Sequence, residues 1–353
     1  NDKLIITDFF TKENAINAII TSDSEVAHSI INEAKINVDL STHSTIDTPY
    51  SATDYKEVFN GSGYVQNLNN EKDVLIFNDE TKYIQTSNTT LSITDNTNTI
   101  TITDYTTNNV PKVAVNQVLD TIEAKTLYIQ DMTSFNAENT VFNNVNILGT
   151  TNDDNYIAST GNDIIEAGQG NDTIEASLGD DVIYGGAGSD TFVFNSGDGA
   201  DVIKDADSSD IIQFKNVQFS ELRFTRNAQN LIITNSVNEI DSVTIEGFFN
   251  GVHLSDNIDL IITSESETPH SIINDATIIV NNVENYEGYN VQNSDGMWVG
   301  YKEKINALNS GAIIYGNLND DEIHGGEGDD ELHGGEGDDV IYGTSGNNVI
   351  YGD

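Results

Sequence analysis

The chain has no cysteine among its 353 residues, so disulfide staples and thiol chemistry are excluded. Basic residues are scarce. Lys and Arg number 14 against 58 Asp and Glu, giving a net charge of −44. A phosphate backbone would be repelled, which excludes nucleic-acid binding, and simple docking on anionic lipid is excluded by the same sign of charge. No run approaches the roughly 18 apolar residues of a membrane span. No signal-peptide pattern opens the chain, which reads Asn1-Asp2-Lys3-Leu4-Ile5-Ile6-Thr7. There is no H-E-x-x-H, no G-x-S-x-G and no phosphate loop, so no enzymatic activity is expected. The hydrophobic content of 37% is nonetheless that of a globular protein, not of a disordered acidic tail. Self-repulsion on this scale disfavours compaction unless cations offset it.

What is present is a repeat of nine residues, G-G-x-G-x-D-x-U-x, with U large and apolar. One tract contains Gly185-Gly186-Ala187-Gly188-Ser189-Asp190-Thr191-Phe192-Val193. The other contains Gly325-Gly326-Glu327-Gly328-Asp329-Asp330-Glu331-Leu332-His333 and Gly334-Gly335-Glu336-Gly337-Asp338-Asp339-Val340-Ile341-Tyr342. Units of the first tract begin at 149, 158, 167, 176 and 185, with Asp154, Asp163, Asp172, Asp181 and Asp190 at position six. Position eight holds Tyr156, Ile165, Ile174, Ile183 and Phe192. Units of the second begin at 316, 325, 334 and 343, with Asp321, Asp330, Asp339 and Asn348 at position six. This nonapeptide resembles the calcium-binding repeat of RTX (repeats-in-toxin, haemolysin-type) proteins. The resemblance covers the two tracts strongly and the strand-rich segments between them weakly.

The spacing has a physical reading. Positions seven to nine can run as a short strand, with U inward and its neighbours outward. The other six residues turn the chain, and glycines permit the turns. Two units then make one coil of a parallel β-roll, and loops eighteen residues apart stack at about the 4.8 Å strand spacing. Aspartates so stacked repel by about 1 kcal/mol in water and by more near a protein surface. Ca²⁺ reverses that sign, because it takes six to eight oxygens from carboxylates and turn carbonyls. The expected metal-binding residues are the position-six set above with Gly161, Gly168, Gly170, Gly179, Gly186, Gly188, Gly326, Gly328, Gly335 and Gly337, holding several ions. Two departures touch the expected sites at the start of the first tract and the end of the second. Asn348 replaces a carboxylate, and the unit at 149 has Thr150-Thr151-Asn152 where Gly-x-Gly is expected.

A longer repeat also runs through the chain. Ile19-Ile20-Thr21-Ser22-Asp23-Ser24 and His28-Ser29-Ile30-Ile31-Asn32-Glu33-Ala34 return as Ile261-Ile262-Thr263-Ser264-Glu265-Ser266 and His270-Ser271-Ile272-Ile273-Asn274-Asp275-Ala276. A third partial copy places Asp73–Phe77, Leu91–Thr94 and Thr99–Thr103 in the order of Asp210–Phe214, Leu231–Thr234 and Ser242–Ile245. These read as strands that cap an otherwise open solenoid end. The expected division is a strand-rich module at 1–60 that copies 240–280, a capping-like module at 61–120, a first roll at 121–206, a strand-rich module at 207–265, a connecting segment at 266–306 and a truncated second roll at 307–353. The spacing Val115-x-x-Val118-Leu119-x-x-Ile122 predicts a short helix. His324 and His333 are expected on opposite outward faces, His28 and His270 in a repeated structural hydrogen bond, and Trp298 as a buried anchor.

The resemblance implies a protein exported unfolded by a type I secretion apparatus from a Gram-negative bacterium, folding in external calcium at a Kd of roughly 10⁻⁴–10⁻³ M. It would be a segment of a large secreted or cell-surface protein, toxin-like or adhesin-like, meeting a host surface or its own copies. The alternatives are a surface-layer or adhesin stalk assembled through calcium, or the C-terminal secretion module of an extracellular hydrolase or epimerase. Self-cleavage at Asp-Pro, found in some RTX proteins, has no bond to act on, since the prolines follow Thr48, Val110 and Thr268.

Overall fold

A computed structural model describes residues 18–19, 28–29, 36–42, 44, 50–51, 57–68, 73–77, 80–106, 112–115, 118–119, 125–137, 142–236, 241–251, 258–292, 295, 297–308 and 310–352. The protein is all-β. Among the described residues the one α-helix is the single turn Ile272–Asp275, N-capped by the Ser271 side chain. The chain forms two compact units, residues 1–128 with 139–142, and residues 129–138 with 143–353.

The second unit contains both nonapeptide tracts, and its first part is a parallel β-roll. On one face Asn144–Thr150, Ile164–Gln169, Val182–Ala187, Ala200–Ile203 and Ser242–Ile245 pair in parallel, each with the next. On the other face the succession is Ser134–Asn136, Asn155–Ile157, Thr173–Glu175, Thr191–Phe194, Ile211–Phe214 and Leu260–Thr263. Within the tract the register is Ile165 with Ile183 on one face and Tyr156 with Ile174 on the other, eighteen residues apart. Strand alternation sends these side chains into the space between the faces, where Tyr156, Ile165, Ile174, Ile183 and Phe192 are all 0% exposed. Each such side chain contributes about 1.5–3 kcal/mol on burial.

The two tracts share one sheet. Ser242–Ile245 pairs antiparallel with Asn230–Asn235, which pairs antiparallel with Leu222–Asn227. That strand runs parallel to Thr277–Val283, which continues through Lys302–Ala307 and Glu322–His324 to Val340–Tyr342. The second face of this roll is Asn285–Glu287, Ile313–Tyr315, Glu331–His333 and Val349–Tyr351. Ile314, Ile323 and Leu332 fill its interior at 0% exposure, whereas Ile350 is 48% exposed.

The first unit builds a smaller roll. Ile36–Asp39, Glu57–Asn60, Val74–Phe77 and Lys112–Val115 form one parallel ladder, and Tyr50–Ser51, Gly63–Gln66 and Thr99–Ile102 another. Lys82–Ser87 and Thr90–Thr94 complete an antiparallel meander on Thr99–Ile102. The second unit arranges Leu222–Asn227, Asn230–Asn235 and Ser242–Ile245 in the same way, so the third partial copy is a repeated topology. The longer repeat also has a counterpart. Ile19 pairs antiparallel with His28, as Ile261 does with His270.

The helix expected from Val115 to Ile122 is a correction. Lys112–Val115 and Val118–Leu119 are antiparallel strands, with Val115 opposite Val118. Facing residues of two antiparallel strands can share the i, i+3 spacing of a helix, and pairing of Lys112–Val115 with Val74–Phe77 decides for the strand. Ile122 lies outside the described residues.

Candidate metal-binding ladders

Asp163, Asp172, Asp181, Asp190, Asp321, Asp330 and Asp339 each accept a backbone hydrogen bond from the coil eighteen residues earlier. Asp154 N–H donates to Oδ1 of Asp172 at 2.8 Å, Asp163 N–H to Asp181 at 2.7 Å, and Asp172 N–H to Asp190 at 2.8 Å. In the second tract Asp321 N–H donates to Asp339 at 2.9 Å, and Asp330 N–H to the amide oxygen of Asn348 at 3.0 Å. The carboxylates thereby stack as rungs along the two edges of the roll. Asp154, Asp163, Asp172, Asp181, Asp190, Asp321 and Asp330 are at most 3% exposed. Asp339 and Asn348 are half-buried, and the Asn348 amide also donates to the carbonyl of Gly343.

The ladders extend beyond the nonapeptides. Asp181 N–H donates to Asp201 at 3.0 Å, and Asp190 N–H to Asp210 at 2.8 Å, each across a coil of twenty residues. Two inserted residues hide both from a nine-residue pattern. The signal that finds them is the local Asp-x-apolar unit, Asp201-Val202-Ile203 and Asp210-Ile211-Ile212, in which Ile203 and Ile212 are 0% exposed. At the start of the second tract Glu303 takes the rung position, donating its N–H to Asp321 at 2.9 Å. Its side chain is 0% exposed, accepts from the Tyr286 hydroxyl at 2.6 Å, and has its pKa raised to about 7 by burial.

A second ladder runs at position five, which the consensus leaves free. There the N–H of Asn171 donates to Asp153, that of Asp180 to Asn162, that of Ser189 to Asn171, and that of Asp338 to Asp320, all at 2.8–3.1 Å. Recurrent Asn or Asp at position five carries that signal in the sequence.

The glycines serve close approach. Gly168 (φ +116°) and Gly188 (φ +148°) adopt backbone open to glycine and strained for other residues. A Cβ on Gly168 would run into the carbonyl oxygen of Thr150, and one on Gly188 into that of Gly170, so successive turns lie backbone against backbone. Gly170, Gly179, Gly186, Gly326, Gly328, Gly335 and Gly337 also have positive φ, whereas Gly161 lacks it and is held by contact with Asn143. Gly185, Gly325 and Gly334 at position one, absent from the expected set, abut their own unit's aspartate: a Cβ on Gly185 would lie 2.5 Å from Oδ2 of Asp190.

Electrostatics mark these carboxylates as unsettled without a cation. Burial raises the pKa of Asp163, Asp172 and Asp321 to about 6 and of Asp181 to about 9. Neighbouring rungs push the same way, Asp190 and Asp154 on Asp172, and Asp163 and Asp201 on Asp181. Oδ2 of Asp172, Asp181, Asp190 and Asp330 is buried with no hydrogen-bond partner. An unpaired buried carboxylate oxygen is costly, and it is the donor a hard cation takes. Among the described residues no three His, Asp or Glu side chains converge as a metal cluster. A cation on these rungs therefore completes its shell with turn carbonyls, which suits Ca²⁺. The residues that fit it are Asp172, Asp181, Asp190 and Asp330, together with the glycine turns beside them.

Other expected residues behave differently. His324 and His333 lie on separate faces as expected, each with a glutamate partner, Glu322 at 2.6 Å and Glu331 at 3.0 Å. His333 stacks between Tyr315 and Tyr351, and His324 on Tyr342. His270 stacks on Phe219 at 4.2 Å, with Glu265 and Asp275 3.9 and 3.8 Å away; this replaces the expected structural hydrogen bond. The His28 side chain lies outside the described residues. Trp298 is 52% exposed, not a buried anchor; among the described residues its short strand pairs only with Asn290–Gln292.

The model of the RTX calcium-binding nonapeptide repeat matches the chain in four copies, at residues 148–181, 157–192, 166–203 and 315–350. No curated protein matches the chain. The matched spans coincide with the aspartate ladders, and the chain thus carries RTX calcium-binding nonapeptide repeats folded as a parallel β-roll.

Proposed function

We propose that the chain is a calcium-binding segment of a large secreted or cell-surface bacterial protein, toxin-like or adhesin-like, that completes its folding on Ca²⁺ outside the cell. The observation that carries this reading is the set of buried carboxylate oxygens without partners on stacked rungs. Those rungs are unfavourable without a divalent cation and favourable with one, so binding free energy becomes folding free energy. At extracellular-module affinities the rungs stay empty in a cytosol and fill outside it. Passage through a type I secretion apparatus as an unfolded chain fits this switch. The segment performs no catalysis itself; its role is to bind calcium and to present a rigid roll.

The test is circular dichroism with light scattering during a titration from chelator to about 10 mM Ca²⁺, a range that brackets such affinities, with Mg²⁺ as the control. A cooperative gain of β signal with Ca²⁺ alone, at constant mass, supports a monomeric folding segment. The same gain with growing mass favours assembly into a stalk or surface layer. No gain contradicts the proposal.

A further inference from the structure

In seven of the nine nonapeptides position two separates a carboxylate closed by the protein from one left open four residues on. In three units residue two is Thr150, Ser159 or Asn317, and its backbone N–H donates to Asp154 at 2.7 Å, Asp163 at 2.6 Å or Asp321 at 2.9 Å. Side chains tighten two of these closures. The Tyr156 hydroxyl donates to Asp154 at 2.9 Å, and the Ser159 hydroxyl to Asp163 at 2.7 Å. In four other units residue two is Gly168, Ser177, Gly186 or Gly326, with φ of +116°, +67°, +98° and +79°. No N–H from these residues reaches the carboxylate, and these are the units whose Oδ2 is buried and unpartnered, on Asp172, Asp181, Asp190 and Asp330. Ser177 shows that the backbone conformation, not glycine itself, separates the two classes.

We infer that calcium is held only by the open rungs, and that Asp154, Asp163 and Asp321 are metal-free rungs closed by residue two. This deepens the calcium-binding reading and rests on it. A carboxylate already accepting two or three donors at 2.6–2.9 Å would have to give them up to ligate a cation, whereas an open rung gives up nothing. The closed rungs stand first in each tract, at 149 and 158 and again at 316. Each tract therefore opens on turns that the protein satisfies by itself, and the calcium-dependent turns stack upon them.

The experiment is equilibrium dialysis of radioactive calcium on the full chain, the wild type beside Asp172→Asn, Asp163→Asn and Asp321→Asn. Asp172→Asn is expected to bind fewer ions at saturation, and Asp163→Asn and Asp321→Asn the wild-type number. A loss in the two closed-rung variants equal to that in Asp172→Asn overturns the inference. If Asp163→Asn does not fold in saturating calcium, the Asp321→Asn count decides alone. A wild type that binds no calcium overturns the calcium-binding reading itself, which is a different result from an equal loss.

Discussion

The backbone N–H of Asp163 donates to Oδ1 of Asp181, 2.7 Å away on the following coil, while Oδ2 of Asp181 is buried without a partner. One oxygen fixes the stacking of the turns, and the other is left for a cation. The same division recurs at Asp172 and Asp190, so the ladder is at once a structural device and an incomplete binding site.

Two substitutions at Asp181 separate these roles. Asp181→Asn keeps an acceptor for the Asp163 N–H, as Asn348 does for Asp330, but removes the charge. It is expected to raise the calcium concentration at the folding midpoint. Asp181→Ala also orphans a buried N–H, adding about 1–3 kcal/mol of destabilisation. Calcium titrations of both variants, followed by circular dichroism, check the order: wild type lowest, alanine highest.

Acid should substitute in part for calcium. The pKa values of Asp163, Asp172 and Asp181 are raised by burial, to about 6, 6 and 9. A carboxylate raised on folding binds more protons folded than unfolded. Its stabilising contribution is present at low pH and is lost as pH rises through the folded value. In metal-free buffer the β signal is therefore expected to be greater at pH 5 than at pH 8. With calcium the trend reverses, since protons and cation compete, and the calcium midpoint is expected to rise as pH falls. Thermal melts at both pH values, with and without calcium, read both signs.

The core positions predict ordinary cavity costs. Ile174 is 0% exposed and stacked between Tyr156 and Phe192, so Ile174→Ala is expected to cost about 2–5 kcal/mol in saturating calcium. Ile350, at 48% exposure, is expected to cost far less on the same change. Chemical denaturation of the two variants provides the comparison.

Two glycines of positive φ separate strain from collision. Gly188→Ala and Gly197→Ala both place a side chain where φ is unfavourable, at +148° and +103°, a cost of about 1–3 kcal/mol each. Only at Gly188 does the new Cβ also strike the turn before it; at Gly197 nothing lies within 4 Å. Gly188→Ala is therefore expected to unfold at clearly lower denaturant than Gly197→Ala.

The ladders were legible in the sequence because sheet spacing forces a fixed period, and any Asp or Ile kept in that period must stack. What breaks the period was not. Asp201 and Asp210 follow coils of twenty residues, and Glu303 stands on a rung without the motif around it. The difference between Ser159 and Ser177 at position two is one of backbone conformation, which identical residues cannot announce. Apolar spacing at Val115 and Val118 served antiparallel strand pairing, since tertiary pairing with Val74–Phe77 outweighs a local helical pattern. The continuity of the two tracts through Leu222–Asn227 and Thr277–Val283 was likewise hidden, because it depends on a parallel pairing between segments some fifty residues apart.

The most direct measurement is amide hydrogen exchange on the full chain, with calcium and after its removal by chelator. The rung amides of Asp154, Asp163 and Asp172, bonded to the next coil at 2.7–2.8 Å, are expected to be strongly protected in calcium and to lose that protection when it is removed. Equal protection of these amides in both conditions would contradict this, because the ladder would then stand without the cation.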